Sequence, residues 1–292
     1  MTLRRAAAPA SVVLGVLVLA TVAACSRGQG AQLTAQKEAH RILSLAPSTT
    51  ESLFVIGAGD RVVGRSRYCD WPEAVAKVPA VGGLEPDVEA ILELRPDLVV
   101  GSTSGASPRL AERLGARGIA TWFASADSMR AIDDLLLGLG ERSGHASDAR
   151  RFVAELDARE RAIAQAVASE AHPRVLMVVG AGPIVAVGPK SFADELLRDA
   201  GAVNAVAAGP AWPKLGFEQI VELDPDVVID SSSGPDGPSR VTRDAPGWSG
   251  VRAVREGHVI PLNDSRVLRP GPRIGEGLAL LAHLLHPNVT TP

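Results

Sequence analysis

One pattern of apolar and polar positions occurs twice along the chain. Residues 88–103 read VEAILELRPDLVVGST and residues 217–232 read FEQIVELDPDVVIDSS. In both segments apolar residues recur at helical spacing, a proline that cannot continue the helix follows, and β-branched apolar residues complete the unit. The pattern predicts one helix-turn-strand unit in each half of the chain. Glu89 and Glu218 occupy the same position in the two units, which suggests a shared role.

The rest of the chain alternates between short apolar runs, typical of strands, and amphipathic stretches, typical of helices. Ser48 and Glu51 have the spacing of a capping box, so we predict that Ser48 caps the first helix. The alternation predicts parallel sheets with helices on their faces. Predicted strands cover residues 41–45, 61–64, 119–123, 174–179, 184–187 and 258–262, and predicted helices outside the repeats cover 48–56, 108–114, 129–139, 191–200 and 274–285.

Residues 146–170 differ from the segments on either side of them. They contain no glycine or proline, and their apolar residues form a narrow stripe. This composition predicts one unbroken helix of about 37 Å, at about 1.5 Å per residue. Because the stripe is long enough to lie across two bodies, we divide the chain into an N-terminal lobe (residues 40–144), a linker helix (145–171) and a C-terminal lobe (172–292).

The first residues carry a targeting signal. Arg4 and Arg5 precede an apolar run, and Val22-Ala23-Ala24-Cys25 closes it with small residues before a cysteine. Residues 1–24 therefore resemble a lipoprotein signal peptide, whose cleavage leaves a lipidated Cys25 and a flexible tether over residues 25–39. A membrane-spanning anchor is disfavoured, because the apolar run is shorter than the roughly 20 residues that a bilayer requires. The sequence predicts an exported protein held on the outer or periplasmic face of the cell membrane.

Composition and charge narrow the class of protein. The chain is 46% apolar and 22% charged, which is typical of a folded protein, and its formal net charge is −3. No basic patch stands out, so we expect no nucleic-acid partner. With Cys25 lipidated, Cys69 has no cysteine partner for a disulfide. We interpret Cys69 as a partly buried, unreactive thiol, because the sequence supplies no neighbouring base.

Several motifs, in their order and spacing, resemble those of one family. They are the run RILSLAPSTTESLFVIGAGDRVVGRSRYCDWP, the two repeat units, Trp212-Pro213-Lys214, and Pro272-Arg273 before the last predicted helix. The chain is similar over about residues 40–287 to the helical-backbone (class III) periplasmic substrate-binding proteins, the ABC-importer receptors for cobalamin, iron-siderophores and haem. Among these it is most similar to the cobalamin-binding members.

This resemblance implies a fold and a mode of action. The family fold is α/β, with two lobes that each contain a parallel-type sheet flanked by helices, joined by one long rigid helix. Ligand binds between the lobes, and a helical linker predicts a small opening motion. We therefore expect a monomeric binding protein with no catalytic residues and no resident cofactor or metal.

The resemblance also implies how such a protein meets its transporter. In the nearest relatives one surface glutamate on each lobe docks into arginine-lined pockets of the dimeric permease, which carries its own ATPase. Glu89 and Glu218 fall at those two positions. Because the two acids lie on different lobes, the distance between them depends on how far apart the lobes are, and a two-fold symmetric partner that binds both responds to that distance. Electrostatic attraction between the acids and the partner also raises the encounter rate.

The ligand-facing positions of the family point to a corrinoid. Tyr68 and Trp212 match aromatic residues that pack on the ligand, and Arg269 aligns with a polar residue of the cleft. Asp264 and Ser265 lie near Arg269 in sequence and can hydrogen-bond amide groups. Three further positions, aromatic in cobalamin-binding relatives, are small or aliphatic here, so the cleft is expected to be wider or more polar than theirs. These positions are Gly83, Ser102 and Val185. This difference weakens the case for intact cobalamin and leaves cobinamide or another chelate open as the cargo.

Other cargoes and classes remain open at this stage. Haem is one, with Tyr68 as axial iron ligand, and a ferric siderophore is another, although Lys214, Arg266 and Arg269 make a small cationic set for an anionic chelate. Zinc or manganese import is disfavoured, because the six histidines are scattered along the chain. A lipid-anchored enzyme using Cys69 is a distant alternative, as is a purely structural lipoprotein, and no phosphate-loop or hydrolase motif appears.

Overall fold

A computed structural model describes residues 38–105, 107–233 and 237–290 of the chain. The predicted signal peptide, Cys25 and most of the predicted tether lie outside the described residues. Within the described ranges the chain forms two sheets with helices packed around them. No helix in those ranges is long and apolar enough to cross a membrane.

The first sheet and its helices fall within the N-terminal lobe. The four strands are all parallel, in the order β2-β1-β3-β4. Strands β1 and β3 are central and almost entirely buried, as expected for a sheet covered on both sides. The buried Ser44 at the end of β1 is hydrogen-bonded to Thr49 and Thr50. The strands are β1 Ile42–Ser44, β2 Val62–Arg65, β3 Leu98–Ser102 and β4 Ala120–Ala124, and the helices are α1 Pro47–Val55, α2 Val88–Glu93, α3 Pro108–Gly115 and α4 Met129–Arg142.

The long helix α5 follows, at Ala146–Val167. Its 22 residues span about 33 Å, a little shorter than predicted because the helix ends three residues earlier. The predicted stripe is Phe152, Leu156, Ile163 and Val167; the last three are buried and Phe152 is half-buried, while Val153, outside the predicted stripe, is buried as well. The helix packs against α4 on one side of the molecule and against two helices of the C-terminal lobe, described next, on the other.

The second sheet mixes parallel pairing with one antiparallel hairpin. Its main path is β6-β5-β8-β9, with β7 also paired to β5, and only the β5–β6 pair is antiparallel. The α/β fold class with two helix-flanked sheets and one long connecting helix is confirmed. The strands are β5 Arg174–Ala181, β6 Ile184–Ala186, β7 Val203–Asn204, β8 Val227–Asp230 and β9 Val259–Pro261, and the helices are α6 Phe192–Asp199, α7 Phe217–Leu223, α8 Arg252–Glu256, α9 Ser265–Leu268 and α10 Ile274–Leu285.

The two lobes share an apolar core. One cluster of buried side chains includes Ile42 and Leu53 of the N-terminal lobe, Ile163 of α5, and Met177 and Leu278 of the C-terminal lobe. Helices α6 and α10 of the C-terminal lobe are the two that pack on α5. Relative movement of the lobes therefore requires movement within this shared core, whose close packing resists large displacements.

Carboxylates line part of the interface between α4 and α5. Glu160 of α5 is partly buried near Asp133 of α4 and Asp157 of α5. Burial, followed by the negative charges of Asp133 and Asp157, raises the pKa of Glu160 to about 8. Burial and Asp157 likewise raise the pKa of Asp133 to about 6. At neutral pH the folded protein therefore keeps Glu160 mostly protonated, which reduces repulsion along this interface.

In both lobes the repeated unit is attached to its sheet by equivalent hydrogen bonds. The aspartate that follows the repeated proline ties the unit to the first strand of its own sheet. In the N-terminal lobe, Asp97 accepts hydrogen bonds from the amides of His40 (2.9 Å) and Arg41 (3.1 Å). In the C-terminal lobe, Asp226 accepts one from the amide of Arg174 (2.9 Å). The Pro-Asp pair thus fixes where each sheet begins.

The predicted cap of α1 is wrong. The residue that precedes the helix is Ala46, and Pro47 occupies its first position, where a missing N–H costs nothing and the proline φ is already helical. Ser48 therefore lies inside the helix, and Glu51 does not reach back to the helix start. The Glu51 carboxylate instead points away from its own helix and pairs with two arginines of the C-terminal lobe, as described below.

Candidate ligand cleft

A cavity of about 660 Å³ lies between the lobes. Residues that follow β1 and β3 form one wall, and residues that follow β9 form the other, which is where parallel α/β sheets commonly bind ligands. The wall is rich in hydroxyl and amide groups. The polar residues that line it are Ser48, Asp70, Ser102, Ser104, Asn263, Ser265 and Arg269.

A second cavity of about 400 Å³ continues the cleft on the side of α6. The two cavities share Ser102 and Ser104 from the N-terminal lobe and Leu268 and Pro270 from the C-terminal lobe. Trp212 forms part of the wall with 43% of its surface exposed, and its ring packs against Phe192 with the ring centroids 5.9 Å apart. The cleft therefore combines a polar end with an aromatic end. Asp127, Lys190 and Ser191 complete the polar lining of this second cavity.

An ion-pair network crosses from one lobe to the other at the polar end. The Glu51 carboxylate, only 2% exposed, accepts from Nε of Arg273 (2.8 Å) and from Nη1 of Arg269. Arg269 also pairs with Asp70, with Nη1 to Oδ1 at 2.7 Å and Nη2 to Oδ2 at 3.3 Å. The hydrogen bond from Arg269 holds the pKa of Asp70 below its usual value. Two acids thus balance two guanidinium groups at the cleft wall.

Four sequence-predicted ligand residues line the cleft. Trp212 lines the aromatic end, Arg269 and Ser265 line the polar end, and Ser102 lines both. The Ser265 hydroxyl also accepts a hydrogen bond from Arg273 (3.1 Å). These side chains come from both lobes, so the structure brings them together across the interface.

Asp264 is placed differently. Its carboxylate caps α9 by accepting from the amide of Arg266 (2.8 Å) and pairs with the Arg266 guanidinium (2.6 Å). The side-chain hydrogen bond from Arg266 lowers the pKa of Asp264. Asp264 does not line either cavity. It holds the short helix that presents Ser265 to the cleft.

The other three predicted positions lie outside the lining of both cavities. Tyr68 is 45% exposed and carries Arg67 over its ring at 5.2 Å, with an Arg67 Nη2 to Tyr68 Oη distance of 3.2 Å. Gly83 lies against the same arginine, since a Cβ at Gly83 would meet Arg67 Nε at 2.6 Å. Val185 belongs to the β5–β6 hairpin, where it pairs with Gly180.

The two repeated glutamates occupy matched surface positions. Glu89 lies in the first turn of α2 and Glu218 in the first turn of α7, and both are exposed. Neither forms an ion pair with any residue in the part of the chain that the structure describes. Both carboxylates are therefore accessible to a partner.

Sequence reasoning missed the acids and one arginine of the ion-pair network. Glu51 is 218 residues from Arg269 and 222 residues from Arg273 along the chain, so no local spacing connects them. The one available signal is a glutamate in a helix otherwise made of apolar and small hydroxyl residues. A charged residue in such a helix is rarely buried without a partner.

Among the described residues, neither Cys69 nor a cluster of metal ligands supplies a reactive group to the cleft. The Cys69 thiol is buried, with Sγ 3.0 Å from Oγ1 of Thr50, and burial raises its pKa. A protonated thiol of this kind is a poor nucleophile. Across residues 38–105, 107–233 and 237–290, no three His, Cys, Asp or Glu side chains are grouped as metal ligands.

Comparisons with known proteins agree with this architecture. A family model described as periplasmic binding protein matches residues 42–265. An ABC transporter substrate-binding lipoprotein of Bacillus subtilis is 31% identical over 265 residues, covering 88% of this chain and 83% of that protein. A cobalamin-binding protein of Halobacterium salinarum is 30% identical over 272 residues, covering 87% and 71%.

A solved structure gives the same result for the fold. The crystal structure of a periplasmic haem-binding protein from Pseudomonas aeruginosa has a TM-score of 0.77 and 27% identity, covering 87% of this chain and 95% of that one. The family and these relatives are binding proteins of transport and not enzymes. The chain belongs to the periplasmic binding protein family, in the class with two lobes joined by a long helix, and is a substrate-binding protein of ABC importers.

Proposed function

We propose that the protein captures cobalamin or a related corrinoid between its lobes and delivers it to an ABC importer. The observation that carries the proposal is the composition of the cleft, in which an aromatic end at Trp212 joins a hydroxyl- and amide-lined end. The 30% identity to a cobalamin-binding protein supports the same ligand class.

The chemistry of a corrinoid fits both ends of this cleft. A corrinoid is a broad, nearly flat macrocycle with apolar faces and a rim of amide groups. The exposed Trp212 ring offers a flat apolar surface for one face. Ser102, Ser104, Asn263 and Ser265 offer hydrogen-bond donors and acceptors for the rim. The cavity volumes lie within the range of about 300–1,000 Å³ typical of ligand sites.

Charge in the cleft favours this ligand over a polyanionic siderophore. Arg269 is balanced by Glu51 and Asp70, and Arg266, outside the lining, is balanced by Asp264 and Glu276. A guanidinium already engaged by carboxylates offers little to further anions. Lys190 is the cleft-lining cation that forms no ion pair among the described residues, and one such cation suits an amide-rimmed ligand better than a chelate with several negative groups.

Haem is the second candidate, because of the similarity to the haem-binding protein of Pseudomonas aeruginosa. An axial ligand from Tyr68 requires that side chain to turn toward the macrocycle. Tyr68 instead lies outside the lining of both cavities and packs on Arg67. In this position Tyr68 neither ligates a haem iron nor packs on a corrinoid, so a direct competition of the two ligands decides between them.

Replacing Trp212 by alanine is expected to weaken corrinoid binding about 5- to 30-fold, because the variant loses one apolar wall and about 1–2 kcal/mol of contact with the macrocycle. Equilibrium dialysis with cyanocobalamin measures the change in Kd. Trp212→Phe is the matched control and should retain most of the affinity. Equal affinity of the wild type and the alanine variant would exclude the aromatic end of the cleft as the corrinoid site.

Membrane attachment through Cys25 is part of the same proposal. The Bacillus subtilis relative is named a lipoprotein, and Cys25 ends a run of small residues after an apolar segment. More than one acyl chain on Cys25 provides stable anchoring. The Cys25→Ala variant should move from the membrane fraction to the soluble fraction after cell fractionation, and its continued sedimentation with membranes would contradict lipid anchoring at this residue.

Docking to the permease is proposed for Glu89 and Glu218. Each lies in the first turn of an equivalent helix, one per lobe, with its carboxylate exposed. A permease built from two copies of one subunit can present one cationic pocket to each acid. The pair then holds the cleft over the two-fold axis of the transporter.

A further inference from the structure

Lys190 differs from Arg269, the other cation that lines the cleft, because it forms no ion pair among the described residues. It lines the same cavity as Trp212, and its side chain is exposed. It immediately precedes Ser191, whose side chain accepts a hydrogen bond from the amide of Asp194 and caps α6. Lys190 and Trp212 therefore line one and the same cavity.

No acid compensates Lys190 among the residues that the structure describes. Arg269, the other cation that lines the cleft, is held by Glu51 and Asp70. The acid that lines the same cavity is Asp127, whose carboxylate accepts from the Ser125 hydroxyl at 2.7 Å and forms no ion pair with Lys190. One uncompensated cation beside an aromatic wall suits a ligand with one anionic group.

The backbone at Lys190 supports a functional reason for this residue. Its φ is 65°, in the left-handed region that side-chain-bearing residues rarely adopt. Such a conformation costs roughly 1 kcal/mol or more in residues other than glycine, and it is found frequently at ligand sites. Glycine or asparagine would adopt this turn with less strain. The turn itself does not require a lysine, which points to a binding role for the lysine side chain.

We propose that Lys190 binds the phosphodiester of the nucleotide loop in a complete corrinoid, and that it makes the protein prefer cobalamin to cobinamide. This inference rests on the proposed corrinoid function. Cyanocobalamin and dicyanocobinamide share the macrocycle and its amide rim, but only cyanocobalamin carries the phosphodiester. A phosphodiester has a single negative charge, which matches the single uncompensated ammonium group. The two propionates of haem would need a second cation.

The experiment compares both corrinoids on three proteins by equilibrium dialysis. Wild type should bind cyanocobalamin more tightly than dicyanocobinamide. The Lys190→Asn variant removes the charge but tolerates the left-handed backbone, and should lose about 5- to 20-fold in affinity for cyanocobalamin with little change for dicyanocobinamide. Lys214→Asn is the matched control, since Lys214 is an exposed lysine of the same lobe that lines neither cavity. It should behave as wild type.

The outcomes separate this inference from the function on which it rests. If wild type binds both corrinoids and Lys190→Asn weakens them equally or not at all, the phosphodiester contact is wrong and the corrinoid function stands. If wild type binds neither corrinoid, both proposals fail together. Higher salt should weaken cyanocobalamin binding to wild type more than to Lys190→Asn, and equal salt dependence in the two proteins would also contradict the contact.

Discussion

The Glu51→Gln variant is expected to lose about 3–5 kcal/mol of unfolding free energy, because the substitution breaks a buried salt bridge by removing one charge. Glu51 is 2% exposed and accepts from both Arg269 and Arg273. Glutamine keeps the shape of the side chain but turns an N–H group toward two guanidinium groups. Asp70 still compensates Arg269, while Arg273 loses its only carboxylate within the described residues.

Urea unfolding at neutral pH measures this effect. The matched control is Glu276→Gln, which removes a half-exposed carboxylate that pairs with Arg266 at 3.7 Å. The control should cost less than about 1 kcal/mol, as is usual for exposed pairs. A loss below about 1 kcal/mol in Glu51→Gln would mean that the network does not join the lobes as described.

The double variant Glu89→Ala with Glu218→Ala is expected to lower uptake of the ligand about 10-fold or more while leaving ligand affinity unchanged. The physical reason is that removing one acid from a desolvated ion pair costs about 2–5 kcal/mol and leaves the cationic pocket of the permease uncompensated. Both residues are exposed and lie in the first turns of α2 and α7, away from the cleft lining. Uptake by cells and Kd of the purified protein are measured in parallel.

The repeat units supply their own control for this experiment. Glu93 and Glu222 are also repeated and exposed, but they lie at the last turn of the same two helices. The double variant Glu93→Ala with Glu222→Ala has the same net charge as the docking variant and should transport normally. Normal uptake by the variant lacking Glu89 and Glu218 would remove these residues from the docking surface.

Local patterns predicted most of the fold. The last helix has the predicted bounds, Ile274–Leu285, because an apolar period of 3.6 residues and nearby prolines define it within one segment. The linker helix was predicted from a stretch without glycine or proline. The start of α1 was predicted wrongly, because Pro47 at the first helical position outcompeted the capping-box spacing of Ser48.

The site was less predictable than the fold. Resemblance to the family led to Trp212 and Arg269, and nearness to Arg269 in the sequence led to Ser265. The structure places all three in the cleft lining. The resemblance did not lead to Glu51 or Lys190. The arginine partners of Glu51 lie more than 200 residues away along the chain. Lys190 stands out because it lines the cavity and forms no ion pair among the described residues, and the spacing of residues in the sequence does not reveal this.

Ligand selection by the soluble protein, from residue 26 onward, tests the central claim most directly. The protein is incubated with cyanocobalamin, dicyanocobinamide, haemin and a ferric hydroxamate siderophore together, desalted, and examined by absorption spectroscopy. We expect a corrinoid spectrum at one ligand per protein, with cyanocobalamin as the main species. Retention of haemin or the siderophore alone, with no corrinoid bands, would contradict the proposed function.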